Sequence, residues 1–329
     1  MRKRLFFTLF TLCFILVLVS FISLCFGSET FSFSKIFEFL CGSLNRESYE
    51  FLIIKMIRMP RICLAALVGA SLALSGMAFQ GLLKNPLADP YIVGTSSGAA
   101  LGASIAIFLK LSSAQLPVLI FAFVGSCLVM VSIYVFSLKR GRVAVETLLL
   151  SGVIAGAFCS SIVSLIMTFS GNDMQKIMWW LMGCLSGRED WNYVFFAAVC
   201  FFAGFAVLLF FAPAMNVLSM GEDVAFSKGI NVERLKVIVI AASCLLTSCA
   251  VSVSGTIGFV GFMLPHIMRS LCGGDHRILT VSSALGGAIF LIVADTVSRS
   301  VLSPSEIPVG IITAICGVPV FFFVLKKMR

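Results

Sequence analysis

Few residues in this chain could do chemistry, and their spacing argues against a reaction centre. Among 329 residues there are 15 Asp and Glu, 2 His and 12 Cys. A catalytic acid, base or metal cluster would need several of these to converge on one side. Instead His266 lies in Leu264-Pro265-His266 and His276 in Asp275-His276-Arg277, each alone. Asp295 is the acid deepest in an apolar run, and Arg299 follows it by one helical turn as a natural partner. Most cysteines (Cys13, Cys63, Cys127, Cys159, Cys200, Cys244, Cys316) stand singly in apolar stretches. No Cys-x-x-Cys pair occurs, so they read as small core residues. A nucleotide-binding Gly-x-x-x-x-Gly-Lys loop is absent, and no lysine follows a glycine. No catalytic residue, metal ligand or cofactor is therefore assigned.

The elements around these residues are set by hydrophobicity. The chain is 60% hydrophobic and 12% charged, with a mean hydropathy of +1.09. That leaves too little polar surface to cover a soluble globule of this length. Windows of the length needed to cross hydrocarbon as a helix predict ten spans, near 5–26, 61–82, 92–109, 116–137, 147–169, 192–212, 235–253, 256–270, 278–297 and 307–325. Pro265 and several glycines interrupt the eighth. Ten crossings put both termini on one side. Fifteen of the 24 Lys and Arg residues then fall on the side of the termini, which the positive-inside rule makes cytoplasmic. The net charge of +9 reads as topology and contact with anionic lipid, not nucleic-acid binding. The apolar run from Leu5 to Phe26 is longer than a signal-peptide core and lacks a small-x-small cleavage site, so it is read as the first span.

Between the spans, four segments stand out. Arg58 to Gly98 places about twenty apolar and small residues between Arg-x-Pro-Arg and the polar turn Lys84-Asn85-Pro86-Leu87-Ala88-Asp89-Pro90, which reads as a membrane hairpin. Residues 27–57 hold Phe33, Ile36, Phe37 and Leu40 at helical spacing, as in a surface amphipathic helix. Residues 171–191 carry all three tryptophans, Trp179, Trp180 and Trp191, suited to the membrane interface. Segment 219–236 is the longest polar stretch on the inner side; Gly221 and Gly229 split it into short helical pieces that suit docking on a partner. Ser75-Gly76 precedes Pro86 with the spacing of Ser254-Gly255 before Pro265, a weak echo of the inverted repeats found in transporters.

Four passages then carry a resemblance. They are RMPR with GASLALSGMAFQGLLKNPLADPYIVGTSSGA, then GEDVAFSKGI, then GTIGFVGFMLPHIMRSLCGGDHR, and ADTVSRSVLSPSEIPVGIITAICGVPVFFFVLKK. Together, over residues 58–326, they resemble FecCD-type permeases, the iron-chelate, haem and cobalamin branch of bacterial ABC importers. The resemblance implies an all-α, ten-helix permease domain over 1–329 with inverted-repeat architecture. Its implied partners are a second permease subunit, a cytoplasmic ATP-binding cassette ATPase dimer and an extracytoplasmic substrate-binding protein. It also implies docking of that binding protein at Arg58, Arg61 and Arg299. ATPase coupling through 219–232, with Gly221, Glu222, Ala225 and Gly229, is implied in the same way. An inner gate would include Asn85, Pro86 and Leu87. At the start of the fifth span, where a cobalamin permease of that family has two small hydroxyl residues, this chain has Val145 and Glu146, so the polarity of the gate differs.

The expected function is the permease subunit of an importer for a metal chelate, with ferric siderophore placed ahead of haem and cobalamin. The alternatives from other classes are an ion-coupled carrier, which would use buried acids, and an integral membrane enzyme.

Overall fold

The computed structural model describes residues 2–27, 29–111, 115–139 and 142–328. It is helical almost throughout. In chain order the helices are α1 (Arg2–Cys25), α2 (Phe33–Leu40), α3 (Tyr49–Ile53), α4 (Met59–Leu82), α5 (Thr95–Phe108), α6 (Gln115–Ser137), α7 (Val145–Phe169), α8 (Met174–Leu181), α9 (Trp191–Ser219), α10 (Glu222–Ser227), α11 (Val232–Ser254), α12 (Val260–Cys272), α13 (His276–Ser300) and α14 (Val309–Met328). A π-helical turn, Ile54–Arg58, joins α3 to α4 without a break. Among the described residues, seven helical segments are long and apolar enough to cross a membrane. Two shorter apolar helices, α5 and α14, lie among the described residues, and the thirteen-residue α12 stands at the place of the expected eighth span, roughly in line with ten. A two-residue antiparallel hairpin, β1 (Leu138–Lys139) on β2 (Arg142–Val143), pairs Leu138 with Val143 and is the one addition to an all-α reading among the described residues.

Helix α4 is the axis of the bundle. Its sequence is rich in Ala, Gly and Ser, so neighbours approach its backbone closely, which is how helices pack where lipid removes the hydrophobic drive. Residues from Pro60 to Leu82 are buried on nearly every side. A Cβ on Gly69 would lie 2.2 Å from the Gly287 carbonyl oxygen of α13, and one on Gly76 would lie 1.7 Å from that of Gly261 in α12. Buried hydroxyls add polar ties: Ser75 Oγ donates to the Ser243 carbonyl at 2.9 Å and accepts from Thr247 Oγ1 at 2.7 Å. By contrast α1 and α7 turn most of their surface outward, as helices facing lipid or another subunit would.

The eighth span is shorter than the 256–270 expected, because the chain leaves helical geometry from Gly255 to Phe259 and starts α12 only at Val260. Irregular backbone at this depth must find protein partners. It does so through Tyr91, whose hydroxyl donates to the Ile257 carbonyl (2.8 Å) and accepts from its N–H (3.1 Å). Tyr91 belongs to a 3-10 turn, Pro90–Val93, that folds back into the bundle ahead of α5. The amphipathic helix expected near residue 33 is present as α2, with Ile36 fully buried and Phe33, Phe37 and Leu40 exposed along its edges.

The helix ends define two faces. One carries residues 26–27, 29–48, 183–190 and 301–308 and is called the loop face; the other carries 83–94, 138–139, 142–143, 220–231 and 273–275 and is called the α10 face.

Close packing at Gly76 generates a test. Gly76→Ala should lower the melting temperature of the detergent-solubilised protein, by an overpacking cost of about 1–3 kcal/mol or more. Gly274→Ala, where a Cβ meets nothing within 4 Å, should leave it unchanged. Equal melting of the two variants would rule out the close approach of α4 and α12.

Candidate functional site

At the loop face, Arg61 gathers three carboxylates from separate parts of the chain. Pro60 and Arg61 open α4, so the guanidinium stands at the mouth of the central helix. Its Nε donates to both oxygens of Asp295 (3.1 Å each) and Nη2 donates to Asp295 Oδ1 at 2.9 Å. Glu306 receives a fork as well, from Nη1 and Nη2 at 2.9 Å each, and Glu189 Oε1 accepts from Nη1 at 3.2 Å. This satisfies the planar donor set of arginine with the bidentate geometry it favours. Arg61 and Asp295 are buried, with side chains 4% and 1% exposed, while Glu189 and Glu306 reach the surface at 17% and 20%.

Each acid is delivered by a local device. Asp295 lies on α13, facing α4. Glu306 sits in the 301–308 loop, which Ile307 pins to α13 by donating its N–H to the Ser298 carbonyl at 3.1 Å. Glu189 precedes Asp190, whose carboxylate caps α9 by accepting from the Asn192 N–H at 3.0 Å. Burial pushes the Glu189 carboxyl above the usual range, and the charge of Arg61 only partly opposes it. For Glu306 burial acts in the same direction, but the hydrogen bond and charge of Arg61 outweigh it and hold the carboxyl below the usual range.

The other two arginines are also buried. Arg299 Nη2 donates to the carbonyl and hydroxyl of Ser23 at 2.6 Å each, and its Nε stands 3.6 Å from Asp295 Oδ2. The expected pair of Asp295 with Arg299 is present as this long ion pair, and Arg61, 234 residues away, adds a closer bidentate one. Arg58 donates to the carbonyls of Leu24 and Glu29 and lies over the Phe31 ring, 4.2 Å from its centroid. All three arginines expected at the binding-protein contact are thus buried, with partners inside the chain.

On the α10 face, Gly221 and Gly229 adopt positive φ (139° and 76°) and bracket α10, a helix of six residues. Ala225, expected to touch a partner, points inward and is fully buried among Leu218, Leu235 and Val239. A small residue is needed there so that α10 can lie flat on the bundle. The outward residues are Phe226, 79% exposed, with Met220 and Val224 beside it. Glu222, one of two exposed acids in the first turn, pairs with buried Lys236 at 2.9 Å.

The turn expected at the inner gate is formed by Asn85, whose side-chain oxygen accepts from the Leu87 N–H at 2.9 Å across Pro86. Glu146 is exposed in the first turn of α7, and the side chain of Val145 lies outside the described residues. Within one chain α7 meets this segment further along, where a Cβ on Gly152 would lie 1.9 Å from the Ile92 carbonyl oxygen. Asn85 and Glu146 are left on the surface of the same face.

His276 begins α13, with Nδ1 3.3 Å from Met77 Sδ. Among the described residues no group of three or more His, Cys, Asp or Glu side chains is placed to hold a metal ion.

The two acids that share Arg61 should respond oppositely to neutralisation. A carboxyl whose pKa is lowered by folding adds stability above its ordinary value near 4.5 and loses it as pH falls; one whose pKa is raised adds stability only at low pH and loses it as pH rises. At pH 7, Glu306→Gln should therefore lower the melting temperature, and Glu189→Gln should leave it unchanged or raise it. Thermal unfolding in nanodiscs decides this, and equal destabilisation by both would contradict the assigned asymmetry.

Residues 15–327 match the FecCD transport family. The cobalamin import system permease protein of Halobacterium salinarum is 45% identical over 83% of this chain and 73% of its own length. The Fe(3+)-citrate import system permease protein YfmE of Bacillus subtilis is 37% identical over 99% of this chain and 96% of its own. A solved structure in an inward-facing conformation, assigned to the metal-chelate type of ABC transporter, superposes with a TM-score of 0.87 at 33% identity, covering 97% of this chain and 99% of that one. With its apolar crossings, seven of them long, and its match over nearly the whole length, the chain is a multi-pass membrane transport subunit and belongs to the FecCD family of ABC importer permeases.

Proposed function

We propose that this permease passes an intact metal chelate through the inner membrane, with the loop face outside, the α10 face in the cytoplasm and both termini cytoplasmic. Two permease subunits would surround the path, most simply as a homodimer, and an ATPase dimer would drive them from below. The basic residues favour this orientation, since most of them belong to the side of the α10 face. The relatives named for cobalamin and Fe(3+)-citrate import support a chelate as cargo, and a ferric siderophore remains the first choice of substrate class. Such a path needs no metal ligand of its own, because the metal arrives already coordinated.

The observation that carries the reading is the apolar knob on a polar face. Phe226 and Val224 project from a short helix with Met220 just before it and Glu222, Asp223 and Lys228 around them, while Ala225 anchors that helix to the bundle. An exposed apolar cluster ringed by charge fits docking into a cleft of a partner protein. On the opposite face, a delivery protein would land above Arg61. Its acidic residues would reach Arg58, Arg61 or Arg299 only by displacing Glu189, Glu306 or the backbone partners, so docking and opening of the outer mouth would be one event. Asn85, Pro86, Leu87, Val145 and Glu146 would line the cytoplasmic mouth, where the two subunits meet.

Phe226→Asp should abolish co-purification of the ATPase and chelate uptake, while the permease keeps its melting temperature. Retained co-purification would move the ATPase contact away from α10.

A further inference from the structure

Beneath α10 lies a buried charge that the docking surface does not use. Lys236, in the second turn of α11, is 5% exposed, and its ammonium sits 2.9 Å from Glu222 Oε1 of α10 and 3.1 Å from Glu233 Oε1 of α11. The other oxygen of Glu233 accepts the Val143 N–H at 2.9 Å. Val143 closes the two-residue hairpin that leads into α7. One ammonium and two carboxylates thus join three elements: the exposed helix α10, the span α11 and the entry to the span α7.

We propose that Lys236 is a positioning residue for energy coupling, clamping α10, α11 and the β1–β2 pair into one body so that a displacement of α10 reaches the start of α7. This rests on the reading of α10 as the ATPase contact. A helix of six residues does not hold its own position in water, so its attachments decide which elements move with it. Ala225 supplies an apolar attachment to the bundle, and buried Val143 belongs to the same apolar cluster. The polar tie to Val143 runs from Lys236 through Glu233, a charge-assisted and directional bond to a backbone N–H, stronger than a neutral one. Glu222 is half-exposed, and its pair with Lys236 alone would hold little. Burial of the ammonium changes this: pulling either carboxylate away would strand a desolvated charge, which resists separation of the three elements. The clamp leaves Phe226 free to face outward, so it acts on transmission and not on attachment of the partner.

The test uses the permease reconstituted in proteoliposomes with its ATPase and binding protein. Three readouts are needed: ATPase co-purification, chelate taken up per ATP hydrolysed, and the nucleotide-dependent distance between spin labels at Thr147 of the two subunits. For Lys236→Met, co-purification and hydrolysis should persist. Uptake per ATP should fall, roughly two- to thirtyfold for a lost coupling of this kind, and the label distance should stop responding to nucleotide. Lys236→Arg should restore much of both. Glu233→Gln, which keeps the side-chain volume and so guards against misfolding of the lysine variant, should fall between. Loss of co-purification in Lys236→Met with the wild type intact would overturn the proposal by making Lys236 part of the docking surface. Unchanged uptake per ATP would overturn it too. Absence of ATPase binding in the wild type would instead count against α10 docking itself.

Discussion

A single guanidinium ties together the ends of the structure that sequence places furthest apart. Arg61 opens the buried central helix and binds carboxylates from α13, from the loop before α9 and from the loop before α14. Removing Arg61 or Asp295, the two buried members of this set, leaves uncompensated charge in a region with little water, a cost of about 3–5 kcal/mol for buried pairs. The arrangement therefore fixes the loop face around α4 more strictly than the surrounding apolar contacts could. Side-chain packing against lipid-like surroundings gives little directional preference of its own.

From that anchor the constraints run down the bundle axis. With the top of α4 fixed, its small residues set the distance to α12 and α13, and the close glycine contacts leave no room for those helices to slide independently. The break at Gly255 to Phe259 is tolerated because Tyr91 and neighbouring carbonyls supply its hydrogen bonds inside the protein. At the far end the packing gives way to a polar surface, where α10 rests on Ala225 and on the charge of Lys236. The molecule is thus closely packed along its centre and held by polar networks at its two faces.

Much of this was legible in the sequence, and the parts that were not share a cause. The spans, the amphipathic helix near Phe33, the turn at Asn85 and the glycine-bracketed segment after α9 are local patterns, each set by hydrophobic period or turn chemistry within a few residues. Arg58, Arg61, Arg299 and Asp295 were recognisable as unusual charges beside apolar runs. What they touch depends on contacts across more than a hundred residues, so local spacing favoured Asp295 with Arg299 over Asp295 with Arg61. Glu189 and Glu306 looked like ordinary loop acids, although each lies shortly before a span that starts on the face of Arg61 and could have been matched to it. The direction of Ala225 and Phe226 on a six-residue helix was equally hidden, since a segment that short has too few turns to reveal a buried face.

Transport through this chain, whose sequence holds no nucleotide-binding loop, is driven by ATP hydrolysis in a partner. The most direct measurement is accumulation of ferric siderophore, haem or cobalamin in proteoliposomes holding the permease, its ATPase and its binding protein, with ATP inside or outside and with proton and sodium gradients imposed separately. Accumulation of one of these chelates that requires ATP on the ATPase side and ignores the gradients is the predicted result. Uptake driven by an ion gradient in vesicles lacking the ATPase would contradict it.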